Sequence, residues 1–324
     1  MASLRSWRPQ AHFDGPHRAR TDDIKTLNVV FSDAFTERYR RDGLVGVRVP
    51  HLNPQVWRYA IEDAAEGAMV WRDLRGDIAA FNMVHRSGVE GWMGPLAVRT
   101  EYQGTGAGKE VVARGVKWLQ DAGARVIGLE TMPRTMDNIG FYSGLGFLPG
   151  KLTITLTLDG ASSDQVPDLL SRAGAHERDD ALIQIRALTE AVAPGYDFTR
   201  EIALTHSLGL GDTVLIRDKD VIVGFALCHY VPLVDGRARD ELRVLKLALA
   251  SEQLFDPVIG ALRDLARRSG TARVAIRVQG DCANLYRHLV AKGARVRWTD
   301  LRMALNGYAE QPPARGVLLS NWEI

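Results

Sequence analysis

The sequence is poor in cysteine, in long apolar runs and in net charge. Its 324 residues include two cysteines, Cys228 and Cys282, which are too few for a disulfide framework or a cysteine zinc site, so we expect a reducing, cytoplasmic location. No apolar run reaches the roughly eighteen residues of a membrane span, and the N-terminal residues lack a signal-peptide core, so no membrane association is predicted. The 41 basic and 39 acidic residues nearly cancel, which predicts no nucleic-acid partner.

Signals for a catalytic metal or a covalent nucleophile are also absent from the sequence. The eight histidines show no metal-ligand spacing, and no G-x-S-x-G motif occurs. We therefore expect no metal cofactor. Any group transfer is expected to proceed by direct attack in a ternary complex, without a covalent enzyme intermediate.

What the chain does contain is a glycine-rich turn at residues 104–108. Three alternating glycines stand between an apolar strand and an amphipathic helix. Glycine lets a backbone approach a ligand closely, and a helix N-terminus presents unpaired amides, so the turn suits a phosphate. A Walker A loop is excluded because Glu110 stands where serine or threonine is required, and a dinucleotide fingerprint because Lys109 occupies its last glycine position.

The spacing that fits is Q/R-x-x-G-x-G/A, read from Gln103 to Gly108. Further along, residues 138–147 contain N-x-x-F-Y-x-x-x-G-F. Together these segments resemble the two signatures of the GNAT acetyltransferases. The resemblance implies acetyl-CoA as co-substrate, bound by the strand before the loop, by the loop and by the second motif. The residues concerned are Leu96, Ala97, Val98, Gln103, Gly104, Thr105, Gly106, Ala107, Gly108, Lys109, Asn138 and Tyr142.

The same resemblance supplies candidates for the proton transfers. Tyr142 matches the family's general acid, which protonates the CoA sulfur as it leaves; the alternative is a core tyrosine packed beside Phe141. Where many members carry a glutamate base, this chain has Trp92, which could line an acceptor pocket or fill the core. The candidate bases are Glu90, on the same strand face by period two, Glu130, at the end of the next strand, and His85, on the preceding strand. A base acting through water stays open as well.

An internal repeat indicates two copies of one fold. Residues 67–85 align without gaps with residues 211–229, and both segments have the pattern of two strands joined by a charged turn. The repeat matches His85 with His229, in the copy without the glycine loop, which favours a structural role for His85. We expect an α+β protein of two tandem acyl-CoA N-acyltransferase folds, each a mixed, mostly antiparallel sheet flanked by helices. The predicted domains are residues 1–160, which are catalytic, and residues 161–324, which are degenerate.

The two copies differ at the loop. In place of the glycines the second copy has Glu252, Asp256 and Pro257. Two carboxylates would repel a pyrophosphate, and proline removes an amide donor. One CoA site per chain is therefore predicted, with the second copy kept for structure, substrate shaping or dimerisation. The apolar residues 316–324 are expected to dock as a strand.

The sequence thus predicts an acetyl-CoA-dependent N-acetyltransferase that acts on a primary amine of a small molecule or peptide, as a monomer or homodimer. Two alternatives stay open. One is a non-catalytic CoA-binding sensor or scaffold, which the missing glutamate at Trp92 would explain. The other is a mycothiol-synthase-like acyltransferase, a family whose active site lies in the C-terminal copy.

Overall fold

The first half of the chain carries a strand and two helices, a three-strand meander, and then alternating helices and strands. The structure, a computed structural model, describes residues 13–163, 166–313 and 315–322; residues 323–324 of the predicted C-terminal strand lie outside the described residues. The elements are β1 (Phe13–Arg18), α1 (Ile24–Arg41), α2 (Pro54–Ala64), β2 (Ala68–Asp73), β3 (Ile78–Ser87), β4 (Glu90–Val98), α3 (Ala107–Asp121), β5 (Val126–Thr131), α4 (Met136–Ser143) and β6 (Phe147–Asp159).

The second half repeats this order after a short linker, which confirms the predicted duplication of the fold. Its elements are β7 (Asp168–Leu169), α5 (Ala175–Val192), α6 (Thr199–Ser207), β8 (Gly211–Asp218), β9 (Val221–His229), β10 (Glu241–Leu249), α7 (Phe255–Arg268), β11 (Arg273–Gln279), α8 (Ala283–Ala291), β12 (Arg295–Leu305) and β13 (Val317–Ser320). We call the two halves the first copy and the second copy.

In the described part of the chain, thirteen strands form one continuous sheet. Its order is β1-β2-β3-β4-β5-β12-β6-β11-β10-β9-β8-β7, and β13 pairs separately with β10. The two copies therefore exchange strands, because β12 of the second copy lies between β5 and β6, and β6 of the first copy lies between β12 and β11. The division of the chain near residue 160 stays a prediction, since the strands on either side of it cross into the other copy.

Two helix layers cover the two faces of this sheet. On one face, which we call the α1 face, apolar residues of α1, α2, α5 and α6 share a single core with strands of both copies. On the opposite face, the α3 face, α3 and α4 cover the first copy and α7 and α8 cover the second, in two separate cores. The mixed sheet between helix layers confirms the predicted fold class.

The helix limits follow from local sequence signals. The side chain of Asn53 accepts a hydrogen bond from the backbone of Gln55 and caps α2, whose first residue is Pro54. Gly106, with φ 103°, precedes α3, and Gly123, with φ 78°, follows it. None of the described helices is both long enough and apolar enough to cross a bilayer.

Candidate active site

The first copy contains a gap between two parallel strands. β4 and β5 pair over residues 90–93 and 126–129, and β5 then pairs with β12 up to Thr131. Residues 94–98 of β4 keep their partner β3 on one side, but no described strand pairs with their other edge. The backbone donors predicted at Leu96, Ala97 and Val98 therefore belong to a segment with one open edge. The point where β4 and β5 part, at Met93 and Leu129, is called the apex below.

The glycine loop lies at the open end of this gap. Gly104 and Gly106 have φ values of 75° and 103°, which side chains rarely adopt, so glycine is required by the backbone at both positions. The side chain of Gln103 donates to the carbonyl of Val98 (3.0 Å), and the hydroxyl of Thr105 donates to that of Tyr102 (2.7 Å). These bonds fix the loop against the end of β4.

The loop presents backbone donors to an anion. The backbone N–H groups of residues 105–108 lie in the loop and the first turn of α3, where the first amides of a helix have no acceptor one turn earlier in the helix. A Cβ built on Gly106 would meet nothing within 4 Å, whereas one on Gly108 would lie 3.3 Å from the ring of Phe141. Gly106 thus faces open space, and Gly108 lets α3 pack closely on α4. Unpaired amides at a helix N-terminus fit a phosphate group, so the loop suits the pyrophosphate of CoA.

Tyr142 lies on α4 with its ring in the core on the α3 face. It is 7% exposed and packs edge-on against Phe147, with ring centroids 6.1 Å apart, and against Phe141 at 5.2 Å. Burial raises the pKa of the Tyr142 hydroxyl, which therefore stays protonated at neutral pH. Both predicted roles, proton donor and core residue, are compatible with this position. On the same helix, Asn138 Nδ2 lies 3.5 Å from the hydroxyl of Thr131.

Glu90 is fully buried on the α1 face. Its carboxylate accepts hydrogen bonds from Trp322 Nε1 (2.8 Å) and from the hydroxyl of Ser320 (2.6 Å), and Lys246 Nζ is 3.6 Å away. All three partners come from the second copy. Because these groups occupy the carboxylate, its contacts are those of a structural residue rather than of a base facing an acceptor. The base assignment of Glu90 stays a prediction that these contacts disfavour.

Glu130 is held in an ion-pair cluster between the copies. Arg277 Nη2 lies 2.5 Å from its carboxylate, Arg302 Nη2 lies 2.8 Å from it, and the hydroxyl of Thr153 donates to it at 2.5 Å. Burial alone would raise the pKa of Glu130, but the two guanidinium groups and these hydrogen bonds outweigh it and lower the pKa to about 2. Such a carboxylate is a weak proton acceptor at neutral pH, which disfavours its predicted role as the base.

Trp92 and His85 are core residues of the α1 face. Trp92 is 3% exposed, and its ring stacks on the imidazole of His85 at 4.0 Å. His85 Nδ1 is 2.6 Å from the carboxylate of Asp63. Trp92 therefore fills the core, one of the two placements considered for it, and does not line an open acceptor pocket. The position of His85 agrees with the structural role that the repeat favoured.

In the second copy, the protein's own residues occupy the region that corresponds to the glycine loop and the open strand edge. Glu252 accepts hydrogen bonds from Asn284 of α8, and Asp256 pairs with His288 and with Lys292 Nζ at 2.6 Å. The two carboxylates are thus paired with side chains of α8 and with Lys292 just beyond it, at the place where the first copy has its glycine loop. In addition, β13 lies along residues 246–249 of β10, on the edge that stays open in the first copy.

Sequence reasoning missed the residues that the second copy contributes near the site. Arg277, Arg302 and Trp322 contact the two predicted carboxylates from strands distant in sequence. The repeat showed that two copies exist but gave no signal that they exchange strands. The one relevant signal was the apolar C-terminal segment, which does dock as a strand.

The first copy matches a known family by sequence. Residues 31–147 match the sequence profile of the Acetyltransferase (GNAT) family. That segment contains the open gap, the glycine loop and Tyr142. The matched family is one of acetyltransferases. No curated protein matches the chain significantly.

Solved structures resemble the whole chain and not only the first copy. A proposed acetyltransferase from Pyrococcus horikoshii is 15% identical with a TM-score of 0.65, over 99% of this chain and 98% of that chain. A tandem GNAT protein from the clavulanic acid biosynthesis pathway is 9% identical with a TM-score of 0.56, over 90% and 97%. N-myristoyltransferase from Saccharomyces cerevisiae is 10% identical with a TM-score of 0.61, over 94% and 85%. These likenesses show the tandem fold.

Proposed function

We propose that this protein is a cytoplasmic N-acetyltransferase that transfers an acetyl group from acetyl-CoA to a primary amine of a small molecule or peptide. The observation that carries the proposal is the difference between the copies. The first has an open strand edge beside the glycine loop at the N-terminus of α3, whereas the second has that edge covered by β13 and its loop carboxylates paired with Asn284 and Lys292. One active site per chain follows from this difference, and we propose that the protein acts as a monomer or homodimer.

The chain's own residues supply binding, polarisation and a proton. The amides of residues 105–108 would hold the pyrophosphate, and backbone N–H groups on the open edge of Leu96, Ala97 and Val98 would stabilise negative charge on a carbonyl oxygen. Bound acetyl-CoA supplies an activated thioester that an amine can attack directly. The hydroxyl of Tyr142 keeps its proton at neutral pH and can donate it to a leaving thiolate.

The remaining step of this scheme is the removal of a proton from the acceptor amine. Glu90 and Glu130 are both buried and held by partners from the second copy, so we propose that the amine loses its proton to water. The same observation favours one alternative, a non-catalytic CoA-binding sensor, because a sensor requires no base. A mycothiol-synthase-like arrangement is disfavoured, since it needs the active site in the copy whose gap is filled.

Binding and turnover, measured separately, distinguish the enzyme from the sensor. Calorimetry with CoA should give one site per chain, and release of free thiol from acetyl-CoA should be followed with a panel of primary amines. The proposal expects binding together with amine-dependent thiol release. Binding without release on any amine would favour the sensor, and two sites per chain would contradict the assignment of the second copy. Gln253→Glu, which adds a charge to the second copy's loop, is the control and should change neither measurement.

A further inference from the structure

In the second copy, the last strand of the chain fills the gap that stays open in the first. β10 and β11 pair up to Val244 and Ile276, and beyond that point β13 lies antiparallel to residues 246–249 of β10. Val98 pairs with Ala80, and Leu249 pairs with Gly224, the residue that the repeat matches to Ala80. Residues 247–249 therefore correspond to residues 96–98, which have an open edge. β13 therefore shows, within this molecule, how an extended chain lies in such a gap.

The pairing along β13 also shows where such a chain ends. Val317 pairs with Leu249 at the end nearest the loop before α7, and Ser320 pairs with Lys246 close to the point where β10 and β11 part. Lys246 Nζ then donates to the carbonyl of Asn321 (3.3 Å) and lies 3.9 Å from a carboxylate of α6. A chain that runs the length of the gap thus leaves it on the α1 face of the sheet.

In the first copy, Trp322 occupies this exit. A Cβ built on Gly128 would lie 2.4 Å from the Trp322 ring, and one on Gly94 would lie 4.0 Å from the carbonyl oxygen of Trp322. Gly128 pairs with Trp92 just before the apex, and Gly94 is the first residue beyond it. The two glycines leave room on the α1 face at the apex, and Trp322 fills that room.

Trp322 is held rigidly in this place. It is 2% exposed, its Nε1 donates to Glu90, and the guanidinium of Arg302 lies 3.8 Å from the ring centroid. A buried hydrogen bond and a stacked cation restrict the ring to one orientation. The side chain is therefore a fixed wall that a ligand cannot push aside at low cost.

We infer that Trp322 limits the first copy to short acyl groups. Its side chain blocks the exit through which a longer acyl chain would leave the gap, on the α1 face at the apex. This inference rests on the proposed function, since it assumes that acyl-CoA lies in the gap of the first copy as β13 lies in that of the second. Glu90 is then a positioning residue, which holds the ring of Trp322 and takes no proton from an acceptor.

The test is the affinity for acyl-CoA of two lengths, measured by calorimetry with acetyl-CoA and hexanoyl-CoA. The wild type should bind acetyl-CoA at least about tenfold more tightly than hexanoyl-CoA. In Trp322→Ala the preference should fall away or reverse, since each methylene taken up into the freed apolar space contributes up to about a fourfold gain in affinity. Trp298→Ala removes a tryptophan that is 42% exposed on another part of the sheet and should keep the wild-type ratio.

The outcomes separate this inference from the proposed function. A wild type that binds neither acyl-CoA refutes the proposed function. A wild type that binds both equally, or a Trp322→Ala variant that keeps the wild-type ratio, overturns the inference alone. If Trp322→Ala does not fold, Trp322→Leu retains apolar packing, and the same shift is expected with butyryl-CoA. An unchanged ratio in that variant would also overturn the inference.

Discussion

Glu130→Gln separates a catalytic from a structural role for this buried carboxylate. The substitution keeps the size of the side chain and its ability to accept from Thr153, but it removes the charge that faces Arg277 and Arg302. If Glu130 is the base, the rate should fall while the fold keeps its stability. If it joins the two copies, the stability should fall while the rate per folded molecule is retained.

Two independent arguments give the size of the stability loss. Removing one partner of a buried ion pair costs about 3–5 kcal/mol, because the remaining charge is left uncompensated. The loss should lie at the low end, since Arg277 also pairs with Asp300 and Arg302 with Glu310. Lowering the pKa of Glu130 from 4.5 to about 2 corresponds to about 3 kcal/mol of stabilisation at neutral pH. The two figures agree, and we expect a loss of about 3 kcal/mol.

Denaturant unfolding at several pH values measures this loss, and thiol release normalised to CoA-binding sites measures the rate. The folded-state pKa of Glu130 lies below its unfolded value, so its contribution is present above pH 4.5 and declines as the pH falls towards 2. The stability difference between wild type and variant should shrink over that range. Glu62→Gln, which breaks a surface pair with Arg58, should cost less than about 0.5 kcal/mol. A variant with unchanged stability and a rate reduced a hundredfold would refute the structural interpretation.

Three further predictions concern the loop, the acid and a buried carboxylate of the second copy. Gly106→Asp should weaken CoA binding by about thirtyfold, since a charge about 5 Å from two phosphate charges in an exposed site costs about 2 kcal/mol. Gly106→Asn, which carries the same backbone strain at this φ without the charge, should lose far less in the same calorimetric titration. Tyr142→Phe should lower the turnover about a hundredfold or more at unchanged CoA affinity; an equal loss of affinity in the titration would indicate a packing role. Burial and Asp63 raise the pKa of Glu201 to about 8 against the opposing charge of Lys246, so the free energy of unfolding should fall as the pH rises from about 4.5 to 8. Glu201→Gln should abolish that fall in pH-dependent denaturation, and a fall that persists would contradict it.

The parts of the site that are contiguous in sequence could be predicted from sequence. The loop from Gln103 to Gly108 is specified by residues that touch one another locally, and the strand before it and the helix after it follow from short apolar patterns. The duplication and the docking of the C-terminal strand were also predictable, because the first follows from aligning two segments of the chain and the second from the apolar pattern of one. These expectations needed no knowledge of which strands are neighbours.

The partners of the two glutamates could not be predicted, because they depend on contacts across long sequence separations. Period two correctly put Glu90 and Trp92 on one face of β4, but it does not say what covers that face. The cover consists of Trp322 and Lys246, and the partners of Glu130 are brought to it by the strand exchange. The same exchange explains why Trp92 is buried, since the α1 face is one core shared by both copies.

The strand exchange also gives a physical reason for retaining a copy whose own gap is filled. β5 has β12 as its partner beyond the apex, so the wall of the open gap opposite β4 is supported by a strand of the second copy. Without the second copy, Glu130 would lose its partners Arg277 and Arg302, and Glu90 would lose Lys246 and the hydrogen bond from Trp322. A first copy alone would therefore lack the strand that pairs with β5, and two carboxylates next to its site would be left without their partners. The second copy lacks the glycine loop, but the candidate site of the first copy depends on the second copy for its shape and its charge balance.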